Sequence, residues 1–318
     1  MSAQNFIVDQ SGARAVSRDE ATAALGTDAF IWVHFDECDT VTEDWLCGPG
    51  RLEPLVASAL VATETRPRLE LFDNGVLLNL RGLDADGASA PDLLSSIRLW
   101  GERYHVYSVS KRALGALALV EAQVAGGTIT DPGDFVAALA VAITEGLDPD
   151  VAALGDRLDS CEESFEARRA LAMRRTVGRV RSRAISYRRF VAPQRAALER
   201  LAALDADWLS ADDKLHLGEA ADRAARMAEE LETIRERSAL LHEQLTDLRS
   251  EMTETRGLVV SVVALIFLPL TFLTGLLGMN VAGIPFAEKA WSFWAVVALS
   301  FAIAVGTGGY FIRARWFR

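Results

Sequence analysis

The stretch GLVVSVVALIFLPLTFLTGLLGMNVAGIPFA, residues 257–287, contains no charged side chain and is mostly apolar. A second stretch of the same kind, AWSFWAVVALSFAIAVGTGGYFI, occupies residues 290–312, and only Glu288 and Lys289 lie between the two. Each exceeds the ~20 apolar residues that a helix needs to cross a bilayer. Buried core helices seldom run this long without a charge, so the pair reads as a two-span hairpin, with spans at about 257–279 and 291–312. The chain is therefore expected to be an integral membrane protein with its lipid bilayer contact at the C-terminal end.

The flanks orient the hairpin. Arg249 and Arg256 precede the first span, Arg313, Arg315 and Arg318 follow the second, and the connecting loop holds one Lys. Cationic flanks stay on the cytoplasmic side, so both termini are expected inside and the short loop outside. Trp291 and Trp294 at one end, with Tyr310 and Trp316 at the other, fit interfacial aromatic belts. The N-terminus lacks a basic region followed by an apolar run, so no signal peptide is expected. Cys38, Cys47 and Cys161 form no CxxC pair and no disulfide framework, which agrees with a reducing compartment.

The remainder is acidic. The net charge is −11, yet residues 257–318 carry +3, which leaves −14 on residues 1–256. Residues 1–150 account for most of it, with 10 basic and 23 acidic residues. That balance argues against nucleic acid as a partner and favours attraction of cations.

Residues 1–150 read as a cytoplasmic α/β domain. Phe30-Ile-Trp-Val-His-Phe35 is rich in β-formers. Leu69–Phe72 and Val76–Leu83 flank the turn signal Asp73-Asn74-Gly75, and Ser96–Trp100 and Tyr104–Ser110 flank Gly101-Glu102-Arg103. Arg112–Ala125 and Phe135–Glu145 have helical composition. The two hairpins predict an antiparallel or mixed sheet with helices around it. There is no GxGxxG, no P-loop and no nucleophile–base constellation, so an enzyme is not expected and neither is a prosthetic group.

Residues 151–256 read as a helical stalk. Its first part is dense in arginine, with Arg168, Arg169, Arg174, Arg175, Arg179, Arg181, Arg183, Arg188 and Arg189. A solvated helix face pairing with nearby acids is the plain reading of these, and a patch for anionic lipid or nucleotide is the sharper one. Pro193 is expected to mark a turn between helices. Ser210-Ala-Asp-Asp213 matches a capping box with Asp in place of Glu, and no Pro follows until Pro269. One long helix is expected to leave the cytoplasm here and become the first span.

Two stripes run along that helix. Met227, Leu231, Ile234, Ser238, Leu241, Leu245, Leu248 and Met252 recur at spacings of four and three, a heptad seam for lengthwise packing, either inside one subunit or around an oligomer axis. Glu236, Leu240, Glu243, Asp247, Ser250, Glu254, Gly257, Ser261, Ala264, Leu268, Thr271, Gly275 and Gly278 keep the same alternation on a different face. The cytoplasmic half of this second stripe is largely acidic. The membrane half is small or weakly polar, with Leu268 its one bulky member. Small residues on a span serve close helix packing, whereas pore lining explains both halves together: acids gather cations at the mouth and a narrow, mildly polar wall passes them. Two spans cannot enclose a path alone, so an oligomer with the first span on the axis is implied.

Gly278-Met279-Asn280 closes the first span. Gly278 can end a helix, and Asn280 offers an amide carbonyl to a cation at the outer mouth. In this place, after a long cytoplasmic helix, the tripeptide resembles the signature of the CorA superfamily of divalent metal transporters. Residues 266–285, Thr65-Arg-Pro-Arg-Leu69, Leu80-Arg-Gly82, Ala192-Pro-Gln-Arg195 and Asp207-Trp-Leu-Ser210 resemble its ZntB-like zinc transporter branch. The resemblance covers nearly the whole chain. It implies a CorA-like homopentameric funnel in a cell inner membrane, with Gly278, Met279 and Asn280 selecting a hydrated cation at the outer mouth. It also implies zinc transport linked to a proton gradient. Two departures stand out: Ala282-Gly-Ile-Pro285 where the branch has Gly-Gly-Ile-Pro, and Glu254 where the superfamily commonly has Asn at the inner pore.

Neither span contains His, Cys, Asp or Glu, and Met279 is the soft ligand nearest the mouth. Fully dehydrated zinc favours imidazole and thiolate, so passage with part of the hydration shell retained is expected. The residues themselves do not separate zinc from magnesium, cobalt or nickel. A non-transporting sensor or scaffold is the rival reading. In the cytoplasmic domain His34, Asp36 and Cys38 would share a face if all lay on a strand, a composition able to bind zinc; the alternative is an ordinary strand histidine followed by a loop.

Overall fold

The computed structural model describes residues 5–62, 66–85, 94–164, 170–279, 289 and 291–313. These fall into two compact units, residues 1–164 with 175–240 and residues 165–174 with 241–318.

The first unit is built on a seven-stranded sheet. The strands are β1 (Asn5–Asp9), β2 (Gly12–Ala15), β3 (Phe30–Phe35), β4 (Arg68–Phe72), β5 (Gly75–Leu83), β6 (Leu94–Gly101) and β7 (His105–Ser110), in spatial order β2-β1-β3-β7-β6-β5-β4. Every neighbouring pair is antiparallel except β3 with β7, which is parallel. The sheet is thus mixed, and both expected hairpins are present. At the first of them Gly75 is required, because a Cβ there would stand 2.7 Å from the Trp100 ring.

Helices cover both faces, which explains why all six residues of β3 are buried. Ile31, Val33 and Phe35 point into one core with α1 (Arg18–Ala24), α2 (Thr40–Cys47) and α3 (Pro54–Val61), through Ala21, Leu46, Val56 and Leu60. Trp32 and His34 point the other way, toward α4 (Gly115–Ala125) and α5 (Pro132–Glu163); the Trp32 and Phe135 rings lie 4.7 Å apart. Burying a side chain of that size contributes about 1.5–3 kcal/mol. Helix α5 runs straight through residue 150, and α6 (Ala170–Ala202) follows.

Pro193 does not break the chain into two helices, contrary to expectation: α6 continues through it. A proline removes the hydrogen bond to the carbonyl four residues back. Here that carbonyl belongs to Arg189, an exposed residue, where water can take the place of the missing N–H. The same holds for Pro149 inside α5 and exposed Glu145.

Helix α7 spans Ala211–Leu277. Its start is the expected capping box: the Ser210 N–H donates to Asp213 Oδ2 at 2.8 Å, and the Asp213 N–H donates to Ser210 Oγ at 3.1 Å. Asp213 is buried, and Gly133 at the start of α5 lies against it. A methyl group on Gly133 would overlap Asp213 Oδ2 and stand 2.7 Å from the Trp208 carbonyl oxygen. Gly133→Ala is therefore expected to destabilise the extramembrane region by about 1–3 kcal/mol, the usual cost of forcing an extra methyl into a packed site. Thermal unfolding followed by circular dichroism checks this; an unshifted transition would contradict the packing described.

In the seam, Met227, Leu231, Ile234, Ser238, Leu241 and Leu245 are buried within the single chain, so core packing already accounts for them. Helix α8 (Trp291–Arg313) is the second apolar helix. Both α7 and α8 contain windows long and apolar enough to cross a membrane, with mean hydropathy 2.4 and 1.6.

Candidate cation path along α7

The face of α7 opposite to its packed side stays open. Within the second unit the span touches α8, where Ile266 Cδ1 lies 4.0 Å from the position a Cβ would take at Gly308. Val262 is buried and Ile266, Leu270, Leu273 and Leu277 are half-buried on that side. Glu243, Asp247, Ser250, Glu254, Gly257, Ser261, Ala264, Leu268, Thr271, Gly275 and Gly278 are all exposed, and Leu268 is 72% exposed. Glu236 and Leu240, on the part of α7 in the first unit, are exposed too. Glu236 is within 3.8 Å of the Arg235 guanidinium, whereas in the second unit the line from Glu243 to Gly278 packs against no other element among the described residues. Met279 is exposed, and Asn280 lies outside the described residues, as do Glu288, Ala282, Pro285, Arg315, Trp316 and Arg318.

Two hydroxyls on the membrane half of this line, those of Ser261 and Thr271, have a defined polarity. Ser261 Oγ donates to the Gly257 carbonyl and Thr271 Oγ1 to the Phe267 carbonyl, each at 2.9 Å. With the proton used along the helix, each oxygen presents only lone pairs outward. A hydrated cation turns its water hydrogens outward, so an acceptor-only wall matches its shell. Leu268 interrupts that wall with an apolar side chain. If the line faces a shared axis, Leu268 forms the dewetted constriction. Leu268→Ser should then raise cation leak through reconstituted protein, by roughly tenfold for removal of one dewetted barrier on the order of 1.4 kcal/mol. A variant as tight as the parent would count against this face lining the path.

His34, Asp36 and Cys38 are not assembled into a metal site. Strand β3 ends at Phe35, so the three do not share a strand face. His34 is buried; its Nδ1 meets Ser108 Oγ at 2.7 Å, and its Nε2 lies 3.2 Å from Asp36 Oδ1 and 3.3 Å from Ser110 Oγ. The hydrogen bond with His34 holds the Asp36 carboxyl below its ordinary value. Cys38 turns instead to buried Arg98, whose guanidinium donates to Sγ at 3.2 Å. His34 thus belongs to a buried polar chain with Trp32, whose indole N–H donates to the same Ser108 oxygen at 2.8 Å.

A different acidic group is assembled only by the fold. Asp131, Asp134 and Asp213 bring carboxylate oxygens within 4.8 Å of one another. Each caps a helix: Asp131 accepts from the Asp134 N–H at 2.9 Å, Asp134 accepts from Thr130, and Asp213 closes the α7 capping box. Burial pushes the Asp131 and Asp213 carboxyls up, with neighbouring carboxylates adding to it. The positive ends of α5 and α7 explain why three acids gather there. The sequence signal was two N-cap patterns, with nothing to say that they meet.

An α/β body, one long helix that becomes a span, and a short second span at the C-terminus define a membrane protein whose open helix face suits ion passage. Residues 27–313 match the CorA-like Mg2+ transporter protein family, and the chain belongs to that family. It is 32% identical over 311 residues to the divalent cation transporter CmaX of Pseudomonas aeruginosa, covering 96% of this chain and 94% of that protein. It is 27% identical over 291 residues to the zinc transport protein ZntB of Pectobacterium atrosepticum, covering 90% and 87%. The solved full-length CmaX structure superposes with a TM-score of 0.78 at 29% identity, covering 98% of this chain and 97% of that one. The CorA magnesium transporter of Methanocaldococcus jannaschii also superposes at 0.78, but at 14% identity that likeness speaks for the fold alone.

Proposed function

We propose that this chain carries divalent cations, zinc foremost, across the cell inner membrane through a path that several copies share. The observation that carries the reading is the exposed line on α7, acidic at Glu236, Glu243, Asp247 and Glu254 and small or weakly polar from Gly257 to Gly275. In a homopentamer with both termini cytoplasmic, these residues would line the axis and Gly278, Met279 and Asn280 would meet the cation at the outer mouth. The cation keeps part of its water shell, because the wall offers hydroxyl and backbone oxygen and no imidazole or thiolate. Zinc rests on the ZntB relatives, and a proton gradient would assist it. The same donor set suits magnesium, whose hard, well-hydrated ion needs no soft ligand, so magnesium or cobalt passage of the CorA type is the second reading.

Native mass measurement in lipid nanodiscs tests the assembly. A mass of five chains is expected. A stable monomer that still transports metal would overturn the shared path.

A further inference from the structure

Helices α5 and α6 carry opposite charge. Helix α5 holds eight acids and one Arg, and α6 holds nine Arg and one Glu. They pack together without an ion pair between them among the described residues. The contact is a hydrogen bond from the Tyr187 hydroxyl to Asp150 Oδ2 at 2.9 Å. Ion pairs go to α7 instead: Arg188 to Glu232 at 2.8 Å, and Arg237 to Asp159 and Glu162. What is left over is sorted by side.

One flank is basic. Arg175, Arg179 and Arg183 follow each other at four-residue spacing, so they form one row on α6, and all are exposed. Arg157 of α5 lies on the same side, because it stands seven residues, about two helical turns, beyond Asp150, which the Tyr187 hydroxyl bonds, and Tyr187 itself continues the row four residues beyond Arg183. Among the described residues no carboxylate pairs with these four. The other flank is acidic. Asp148 and Asp156 of α5 both act on Glu230 of α7, whose carboxyl is raised by burial and then by these two neighbours. Glu230 reaches toward Gly155, 3.5 Å from a Cβ placed there, and no Lys or Arg among the described residues pairs with the three.

The two flanks overlap in level around Asp156. The Tyr187–Asp150 bond sets the antiparallel register, so stepping six residues along each helix brings Asp156 beside Arg181, ~9 Å further along the axis in both. Rotation about an axis along the helices preserves that level. Unlike patches on opposite flanks make a head-to-tail contact, which closes into a ring when the rotation allows.

We propose that the basic flank of one copy, Arg157, Arg175, Arg179 and Arg183, docks on the acidic flank of the next copy, Asp148, Asp156 and Glu230. This rests on the reading that the chain works as a ring, and supplies that ring with an outer electrostatic contact. Juxtaposing like charges across an interface is strongly penalised, which also fixes register and excludes the reversed pairing.

The test uses the full chain in nanodiscs of neutral lipid at low salt, with assembly followed against protein concentration by mass photometry. Arg179→Glu with Arg183→Glu should raise the concentration for half-assembly about tenfold or more, and Asp156→Arg with Glu230→Arg should do the same. Combining all four should restore assembly toward the parent, and raising salt should weaken the parent over the ~3–10 Å screening range. Helix content by circular dichroism, with the neutral pair Arg179→Gln and Arg183→Gln, separates misfolding from lost contact. Reversals that leave a parent-like ring, or a fourfold variant no better than either pair, would overturn the interface while leaving the ring intact. An effect of the Arg reversal seen only with anionic lipid, with the acidic reversal silent, would assign the row to lipid headgroups and also overturn it. A parent that is monomeric throughout would instead sink the ring reading itself.

Discussion

Asn280→Ala is expected to cut cation flux roughly ten- to a hundredfold without disturbing assembly. A hydrogen bond to a charged group is worth about 1.5–3 kcal/mol, and each 1.4 kcal/mol is about a factor of ten. In the proposed arrangement the amide oxygen of Asn280 holds the water shell of the cation at the outer mouth, where bulk water contacts are exchanged. Gly278, the residue just after α7, places the motif: its N–H still donates to the Thr274 carbonyl at 2.9 Å, and a Cβ there would meet the same oxygen at 2.9 Å. Asn280→Asp, which retains an oxygen and adds charge, should keep more flux than Ala. An assembled Asn280→Ala variant with parental flux would remove this residue from the mechanism.

The second large effect concerns the inner acids. Glu243, Asp247 and Glu254 are exposed on the open face of α7, and no Lys or Arg among the described residues pairs with them. Around a shared axis each becomes a ring of like charge, and such rings raise the local concentration of cations. Replacing all three by Gln, Asn and Gln should lower flux at sub-saturating cation by about tenfold, and most at low salt, since screening acts over ~8–10 Å near physiological ionic strength. Flux equal to the parent's at low salt and sub-saturating cation would mean that these acids face outward and serve structure.

Much of this architecture is legible from residue order because it depends on local chemistry. The spans follow from apolar length, the start of α7 from Ser210 and Asp213, and the hairpins from Asp73-Asn74-Gly75 and Gly101-Glu102-Arg103. These signals act over a few residues. What escaped depends on tertiary context. Strand β2 is four residues with Gly12 and Arg14 and has no apolar alternation, so pairing with β1 defines it. Pro193 reads as a breaker in sequence, but the exposure of Arg189, which lowers its cost, is a property of the fold. His34 and Cys38 share a composition suited to zinc, but the strand ends between them and Arg98, sixty residues away in sequence, takes the thiol. The line on α7 was legible as a pattern, since it needs only helical spacing. That no other described residue covers it from Glu243 to Gly278 is visible only in the folded chain.

The measurement that bears most directly on the central claim is divalent cation entry into proteoliposomes, read with a zinc-sensitive dye and repeated with magnesium and cobalt under an imposed pH gradient. The account predicts protein-dependent entry of zinc that responds to the gradient and falls in the Asn280→Ala variant. Correctly assembled protein that passes none of these cations under any gradient would contradict it.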